Sequence, residues 1–160
     1  MERALNPLDF LERSAAVYPD RIAVIDGDRR FTYAQFRERA HRLASALRRQ
    51  GVVPGDRVAV LAPNAALALE AHFGVPLLGA VLVMLNTRLQ GPELTWILNH
   101  CEAKVLLADP QLVRPDFTPV RDDYEALLAT GEAPLPEPPE PEENSVISIN
   151  YTSGTTARPK

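Results

Sequence analysis

Hydrophobic residues recur along this chain with two different spacings, which together predict alternating helices and strands. Four segments have apolar residues three or four positions apart, the spacing of a buried helix face: 8–17, 33–49, 65–78 and 92–100. Short apolar runs that suit strands buried on both faces follow the last three of these segments: 57–61, 80–85 and 104–108. The order of the elements predicts an α/β fold class, with a mainly parallel sheet and right-handed crossover helices.

Capping residues mark where three of the helices begin. Asn6 before Pro7 is typical of a helix start, because the asparagine side chain can accept a backbone N–H bond and proline tolerates the first helical position. Thr32 and Gln35 form a T-x-x-Q capping box ahead of the second helix. We expect Asn64 to cap the third helix.

A short hairpin is predicted between the first two helices. Its strands are residues 22–26 and 30–32. Gly27 and Asp28 join them, and both residue types tolerate the positive φ that tight hairpin turns require. The second strand leads directly into the second helix.

The apolar stretch at residues 65–85 raises the question of a membrane span. Glu70, His72 and Pro76 interrupt the roughly 20 uniformly apolar residues that a span requires, so we predict a buried helix followed by a buried strand. Pro76 should remove one helical hydrogen bond. The helix therefore either bends at this proline or ends near Gly74, and the sequence leaves both alternatives open.

The composition changes abruptly at residues 131–144, where proline and glutamate alternate. Because this composition forms neither helix interiors nor central strands, we predict an extended, solvated connector. A strand pattern resumes after it. The predicted organisation is an α/β subdomain at 1–130, the connector at 131–144, and a strand with a hydroxyl-rich turn at 145–160.

Charge and cysteine content exclude several classes of function. A net charge of −4 at pH 7 argues against a nucleic-acid-binding surface, which needs an excess of positive charge. Cys101 is the only cysteine, so no internal disulfide can form and a thiolate metal site is not indicated. The N-terminus lacks the apolar segment of a secretory signal. We therefore expect a cytoplasmic protein that acts on small molecules and has no transmembrane segment.

Several residues that could carry chemistry have a simpler structural interpretation. Five arginines lie on the second helix: Arg37, Arg39, Arg42, Arg48 and Arg49. They could form a basic patch for an anion, but Glu38 among them favours a solvated helix face. The histidines lie in or near predicted helices, and we predict structural positions for all of them: His41, His72 and His100. Cys101 is predicted to be a small buried side chain and Trp96 a core residue.

The last ten residues concentrate phosphate-binding groups in one turn. They read Tyr-Thr-Ser-Gly-Thr-Thr-Ala-Arg-Pro-Lys at 151–160. Backbone N–H groups and hydroxyls in such a turn can donate to phosphate oxygens. Gly154 lets the backbone approach closely, and Lys160 adds a positive charge. The pattern differs from the G-x-x-x-x-G-K-[ST] loop of kinases and GTPases. By composition alone an ordinary polar loop is an equally good interpretation, but the ordered pattern after a predicted strand favours phosphate binding.

This turn resembles the ATP-phosphate loop of the adenylate-forming superfamily, whose pattern is roughly [YF]-T-S-G-T-T-G-x-P-K. Nine of its ten positions match, and Ala157 replaces the usual glycine. Residues 31–36 and 55–59 are similar to an earlier core element of the superfamily. Residues 86–89, Asn-Thr-Arg-Leu, resemble acyl- and aryl-CoA synthetases more than peptide-synthetase domains. The chain therefore resembles the N-terminal part of an AMP-forming, fatty-acyl type CoA ligase.

The resemblance implies part of the N-terminal domain of the adenylate-forming fold and a two-step reaction. A carboxylate attacks the α-phosphorus of ATP to give acyl-AMP and pyrophosphate, and the CoA thiolate then displaces AMP. On the family pattern the phosphates are bound by Thr152, Ser153, Gly154, Thr155, Thr156 and Lys160. Thr152 is the expected Mg²⁺ ligand, and no catalytic residue is assigned. The implied partners are a carboxylic acid, ATP and CoA, without nucleic acid.

The resemblance also implies that further segments complete the active site. The adenine-binding segment, the ribose-binding aspartate and the C-terminal domain with its adenylation lysine are not among these 160 residues. We therefore expect the 160-residue chain alone to complete neither half-reaction. It is either the N-terminal part of a complete ligase, or a non-catalytic remnant that folds, can form a homodimer and binds nucleotide weakly or not at all. The codons after Lys160 distinguish these two hypotheses.

Overall fold

Helices and strands alternate through the chain, as the hydrophobic spacing predicts. The computed structural model describes residues 6–113, 123–140 and 143–152. Its helices are α1 (Leu8–Val17), α2 (Tyr33–Arg49), α3 (Ala66–Leu77), α4 (Gly91–His100) and α5 (Tyr124–Ala129), with a 3-10 turn at Pro110–Leu112. Its strands are β1 (Ile22–Asp26), β2 (Arg29–Thr32), β3 (Arg57–Leu61), β4 (Val81–Met84), β5 (Ala103–Ala108) and β6 (Ser148–Asn150).

A parallel sheet with the strand order β5-β3-β4-β6 forms the centre of the fold. Val60 of β3 lies opposite Met84 of β4 on one side and Leu107 of β5 on the other. The strands β1 and β2 form a separate antiparallel hairpin, which turns at Gly27 with a φ of 59°. The predicted α/β class, the parallel sheet and the hairpin are confirmed.

Side chains of the central strand β3 point alternately into two hydrophobic layers. Val58 and Val60 belong to the layer that packs against α2, α3 and α5. Ala59 and Leu61 belong to the layer that packs against α4. A third, smaller cluster joins α1 and the hairpin to α2. These four residues of β3 are at most 1% exposed, which is the environment that a continuous apolar strand requires.

The predicted caps of the first two helices are confirmed. Gln35 N–H donates to Thr32 Oγ1 (3.3 Å), and Thr32 N–H donates to Gln35 Oε1 (2.9 Å), which completes the capping box of α2. At α1, the Leu8 N–H donates to Asn6 Oδ1 over 3.1 Å. These bonds satisfy N–H groups that have no partner inside the first helical turn.

The third helix begins and ends differently from the expectation. Asn64 does not cap α3; instead the Ala66 N–H donates to Asp26 Oδ2, at the end of β1, over 3.3 Å. A carboxylate from a neighbouring element thus replaces the local cap. The helix continues through Pro76 to Leu77, so it does not end near Gly74. Within the described residues, no helix is long and apolar enough to cross a membrane.

The arginines of α2 attach other segments to this helix. Arg37 Nε donates to Glu12 of α1 over 2.6 Å. Arg39 Nε donates to Glu70 of α3 over 2.6 Å, and the Arg39 side chain is only 17% exposed. Arg48 donates to two carbonyl oxygens of the connector. The interpretation of a purely solvated face is therefore wrong for Arg39, because tertiary pairing buries it.

The Pro/Glu-rich connector contains no helix or strand among its described residues, but parts of it are buried. Leu135 is 3% exposed, and its N–H donates to His41 Nδ1 over 3.0 Å. Gly131 lies against α2 so closely that a Cβ there would be 2.0 Å from the carbonyl oxygen of Arg42. The expectation of a solvated connector is therefore wrong at these positions, because a leucine and a glycine allow close packing. The division into 1–130, 131–144 and 145–160 stays a prediction.

Candidate functional site

The carboxyl ends of the parallel strands meet at one edge of the sheet, where open α/β sheets bind ligands. β6 lies beside β4, with Asn150 opposite Met84. From β6 the chain continues through Tyr151 to Thr152, which is exposed. From β4 it continues into the turn at residues 86–89. The first residue of the predicted phosphate loop therefore lies at the ligand-binding edge, next to the strand that precedes this turn.

Thr152 is the one predicted phosphate ligand within the described residues. The others lie outside them: Ser153, Gly154, Thr155, Thr156 and Lys160. Their contacts with phosphate stay predictions, and so does the role of Thr152 as a Mg²⁺ ligand. An exposed hydroxyl at this edge fits that role, because protein-bound Mg²⁺ takes oxygen ligands and is commonly shared with substrate phosphates. In the part of the chain that the structure describes, no group of three or more His, Cys, Asp and Glu side chains could hold a metal ion.

The turn after β4 presents a positive charge at the same edge. Asn86 organises this turn, because its Oδ1 accepts from the Arg88 N–H (3.0 Å) and its carbonyl oxygen accepts from the Leu89 N–H (3.1 Å). Leu89 packs against the hydrophobic layer on the α4 face. Arg88 is exposed. The segment that resembles acyl-CoA synthetases thus carries a cation on the edge where Thr152 begins the loop, and this favours anionic ligands.

Tyr151, the residue before Thr152, belongs to a cluster that the sequence analysis missed. Its hydroxyl lies 2.7 Å from His100 Nδ1. The Trp96 and His100 rings are stacked at a centroid distance of 4.8 Å, and the Trp96 ring meets the Tyr151 ring edge-on at 6.2 Å. Burial, and to a lesser extent the nearby Cys101, raise the pKa of Tyr151, so its hydroxyl is protonated at neutral pH. We call Trp96, His100 and Tyr151 the aromatic cluster.

Two other candidates have structural positions, as predicted. His41 is buried, with Nδ1 accepting from the Leu135 N–H and Nε2 lying 2.8 Å from Glu12 Oε1. It therefore links α2 to α1 and the connector. Cys101 is 7% exposed, and burial raises the pKa of its thiol, so the reactive thiolate is disfavoured. Neither side chain lies at the carboxyl edge of the sheet.

A buried charged network, distant in sequence from the loop, joins α2, α3 and α5. Glu70 is 1% exposed and accepts hydrogen bonds from Arg39 Nε (2.6 Å) and from the Tyr124 hydroxyl (2.6 Å). Arg39 also pairs with Glu125 over 2.7 Å. Burial raises the pKa of Glu70, although the hydrogen bonds from Arg39 and Tyr124 oppose it. Among the described residues, no buried side-chain nitrogen or oxygen lacks a hydrogen-bond partner, so this network is fully satisfied.

A groove of about 690 Å³ lies near the opposite edge of the sheet. Its lining includes Pro54, Gly79 and Ala80, which precede β3 and β4, and Val146, which precedes β6. The groove is therefore at the amino ends of the strands. The strands separate it from Thr152, and it is not part of the phosphate edge.

One family of proteins fits the sheet order, the exposed Thr152 at the carboxyl edge and the sequence of the loop. The sequence matches the family of AMP-binding enzymes over residues 11–160. The chain therefore belongs to the AMP-binding enzyme family, and its matched relatives include several CoA ligases.

Curated relatives resemble nearly all of this chain. The peroxisomal acetate/butyrate–CoA ligase AAE7 of Arabidopsis thaliana is 37% identical over an alignment of 193 residues, gaps included. The alignment covers 98% of this chain and 34% of that protein. The acetate–CoA ligase CCL3 of Humulus lupulus is 34% identical, with 98% of this chain and 34% of that protein covered. This chain thus spans about a third of the length of the curated relatives it matches.

Solved structures share the fold. The anthranilate CoA ligase AuaEII, crystallised with anthranoyl-AMP, superposes with a TM-score of 0.88 at 26% identity, covering 99% of this chain and 34% of that chain. The fatty acyl CoA synthetase of Mycobacterium tuberculosis gives a TM-score of 0.81 at 31% identity, covering 95% of this chain and 33% of that chain. The chain has the fold of the N-terminal domain of adenylate-forming enzymes, as the sequence resemblance implies.

Proposed function

We propose that this chain supplies the ATP-phosphate-binding part of an AMP-forming carboxylate:CoA ligase. The observation that carries the proposal is the exposed Thr152 at the carboxyl end of β6, where the Thr-Ser-Gly-Thr-Thr sequence begins. In the proposed reaction a carboxylate oxygen forms a bond to the α-phosphorus of ATP, and pyrophosphate leaves. The CoA sulfur then forms a bond to the acyl carbon, and AMP leaves with the electron pair of the broken bond.

The residues of this chain would bind and orient the phosphates. Thr152, with the loop hydroxyls and N–H groups after it, would donate to the phosphate oxygens, and Lys160 would neutralise part of their charge. Mg²⁺, when bound, would withdraw further charge from the phosphates, with Thr152 as one ligand. Arg88 adds a positive charge at the same edge.

We propose a fatty-acyl type of substrate, with short straight-chain acids as the first candidates. Curated relatives named for acetate and butyrate, at 34–37% identity, support this choice. The fatty acyl CoA synthetase at 31% identity supports the same class. Relatives named for benzoate and cinnamate make aromatic acids the competing class.

A cytoplasmic location is proposed on the sequence alone, and several relatives carry "peroxisomal" in their names.

ATP–pyrophosphate exchange tests the proposal directly. The protein encoded by the complete reading frame around these residues is assayed with acetate, butyrate, hexanoate, benzoate and cinnamate, and acyl-CoA formation is measured in parallel. We expect exchange that depends on both Mg²⁺ and the acid, with a short straight-chain acid preferred. Preference for benzoate or cinnamate would replace the fatty-acyl assignment with the aromatic one.

The non-catalytic alternative gives a different result. A folded protein that exchanges no pyrophosphate with any of these acids would refute the ligase proposal. Weak nucleotide binding by such a protein, together with a dimer in sedimentation experiments, would favour the remnant. Sequencing the codons after Lys160 establishes beforehand which polypeptide is to be assayed.

A further inference from the structure

The strand that leads into the phosphate loop has few contacts of its own. β6 is three residues long, and among the described strands it pairs with β4 alone. Ser148 and Asn150 are exposed, so Ile149 is the one β6 side chain that packs against the core. A short edge strand of this kind frays easily. The loop that starts at Thr152 therefore needs a further point of attachment if its position is to be fixed.

The aromatic cluster provides such an attachment immediately before Thr152. The Tyr151 hydroxyl lies 2.7 Å from His100 Nδ1, and the Tyr151 ring meets the rings of both His100 (5.7 Å) and Trp96 (6.2 Å) edge-on. Edge-to-face packing is a favourable arrangement for aromatic rings at these distances. The hydrogen bond adds direction, because it fixes where the end of the tyrosine side chain points.

The other side of this contact is firmly held. Trp96 and His100 are four residues apart on α4 and therefore share one face of the helix. Leu94 and Ile97 of the same helix are 0% exposed. α4 is thus packed on the sheet, and the cluster ties the end of a weak edge strand to a well-packed helix.

We propose that His100 is a positioning residue for the ATP phosphates, because it holds Tyr151 and so fixes where the phosphate loop begins. The inference rests on the proposed ligase function and adds a specific residue to it. Phosphoryl and adenylyl transfer depend on placement, and a displacement of 1 Å can cost about 100-fold in rate. His100 itself touches no substrate in this proposal; it acts through Tyr151.

The two half-reactions separate positioning of the phosphates from general stability. Acyl-AMP formation uses the pyrophosphate end of ATP, whereas CoA transfer from supplied acyl-AMP does not. In the protein of the complete reading frame, we expect His100→Leu and Tyr151→Phe to lower kcat/KM for ATP in pyrophosphate exchange by about fivefold or more. The KM for the carboxylic acid and the rate of CoA transfer from acyl-AMP should stay within about twofold of the wild type.

Conservative and matched variants sharpen the test. His100→Asn should restore most of the lost kcat/KM, because its side-chain amide can bond to the Tyr151 hydroxyl from a position close to that of Nδ1. His72→Leu and Tyr18→Phe are the controls, since His72 bonds to Ala68 of its own helix and Tyr18 is 50% exposed. Both controls should behave like the wild type.

Hydrogen exchange reports on the same contact without catalysis. In the protein of the complete reading frame, the amides of β6 (Ser148–Asn150) should exchange severalfold faster in His100→Leu than in the wild type or in His72→Leu. Equal losses in both half-reactions, no rescue by His100→Asn, or unchanged exchange in β6 would each overturn the positioning role. If the wild-type protein shows no pyrophosphate exchange, the ligase proposal fails, and the exchange rates in β6 still decide whether His100 anchors the strand.

Discussion

Lys160 is the one predicted phosphate ligand with a full positive charge, so its contribution to ATP binding is the easiest to measure separately. In the protein of the complete reading frame, we expect Lys160→Ala to lower acyl-AMP formation by more than about tenfold, because one preorganised donor to a developing charge is worth at least that much. CoA transfer from supplied acyl-AMP should change much less. Separate assays of the two half-reactions measure this, and Lys160→Arg, which keeps the charge, is the control. Equal losses in both steps would contradict the phosphate assignment.

Single residues also show what the sequence could and could not predict about the site. The sequence alone is enough to propose Thr152 as a phosphate ligand, because the loop pattern is local and complete within ten residues. The hydrogen bond between Tyr151 and His100 could not be predicted, since 51 positions separate the two residues and no motif contains both. From the sequence, His100 is only a residue near the end of a predicted helix. Its contact with Tyr151 becomes apparent once the structure places β6 beside β4.

Among the elements, α2 is linked to α3 and α5 by the ion pairs of Arg39 with Glu70 and Glu125, in addition to their shared hydrophobic layer. We expect Arg39→Met to lower the free energy of unfolding by about 3 kcal/mol or more, because it leaves the carboxylate of Glu70 buried without its ion-pair partner. Urea unfolding at pH 7 measures this. The matched control is Arg42→Met, which removes an exposed pair with Glu38 on the same helix and should cost less than about 1 kcal/mol.

A double variant separates the buried charge from the loss of packing. Replacing Glu70 by leucine in the Arg39→Met background removes the unpaired carboxylate, and we expect it to recover a large part of the lost stability. No recovery would mean that Arg39 acts through its packing over the Phe31 ring, which lies 4.6 Å from its guanidinium carbon. A cost of Arg39→Met no larger than that of Arg42→Met would refute the role of the network.

The connector is held on α2 at Gly131, where no side chain fits. We expect Gly131→Ala to destabilise the protein by about 1–3 kcal/mol and to speed proteolysis within residues 131–140, since the added Cβ would meet the Arg42 carbonyl oxygen at 2.0 Å. Glu132→Ala is the control, because its exposed pair with Arg49 should be worth less than about 1 kcal/mol. If both variants are equally stable, the connector is not anchored at Gly131.

The boundaries of elements could be predicted where the signal is local in the sequence. The boundaries that were missed depend on tertiary contacts. The capping box of α2 lies within four residues, and the structure confirms it. The cap of α3 comes instead from Asp26, 40 positions away, so the nearby Asn64 was a misleading signal. α5 has six residues, which is too short for a hydrophobic period to stand out. Its position is given by tertiary contacts that the sequence does not show: Leu127 and Leu128 pack in the core, and its first two residues bond to Glu70 and Arg39.

For the molecule as a whole, several carboxylates are better paired when folded than in the unfolded chain. The Arg29 side chain holds the pKa of Asp26 below its usual value, Lys104 does so for Asp56, and Arg39 for Glu125. Burial raises the pKa of Glu12, but hydrogen bonds from Arg37 and His41 outweigh it and the pKa is lowered. Burial raises the pKa of Glu70, and there the raised direction remains. Except for Asp26 and Arg29, which lie three positions apart in the hairpin, these pairs join elements that are distant in sequence, so they act on the stability of the entire fold.

The pH dependence of stability follows from the signs of these shifts. A carboxyl whose pKa is lowered in the folded protein stabilises the fold when the pH is above the pKa of the unfolded chain, which is 4.5 for glutamate. This contribution is lost as the pH falls through the pKa of the folded protein. Glu70 has the opposite sign: its contribution favours folding below 4.5 and is lost as the pH rises through its raised pKa. Four carboxyls with lowered pKa values lose their contribution in this range and one with a raised pKa opposes them, so we predict that the free energy of unfolding falls between pH 7 and about pH 3. Urea titrations across this range should show a shallower fall for Glu125→Gln and a steeper one for Glu70→Gln. A steeper fall for Glu125→Gln would contradict the lowered pKa of Glu125 in the folded protein.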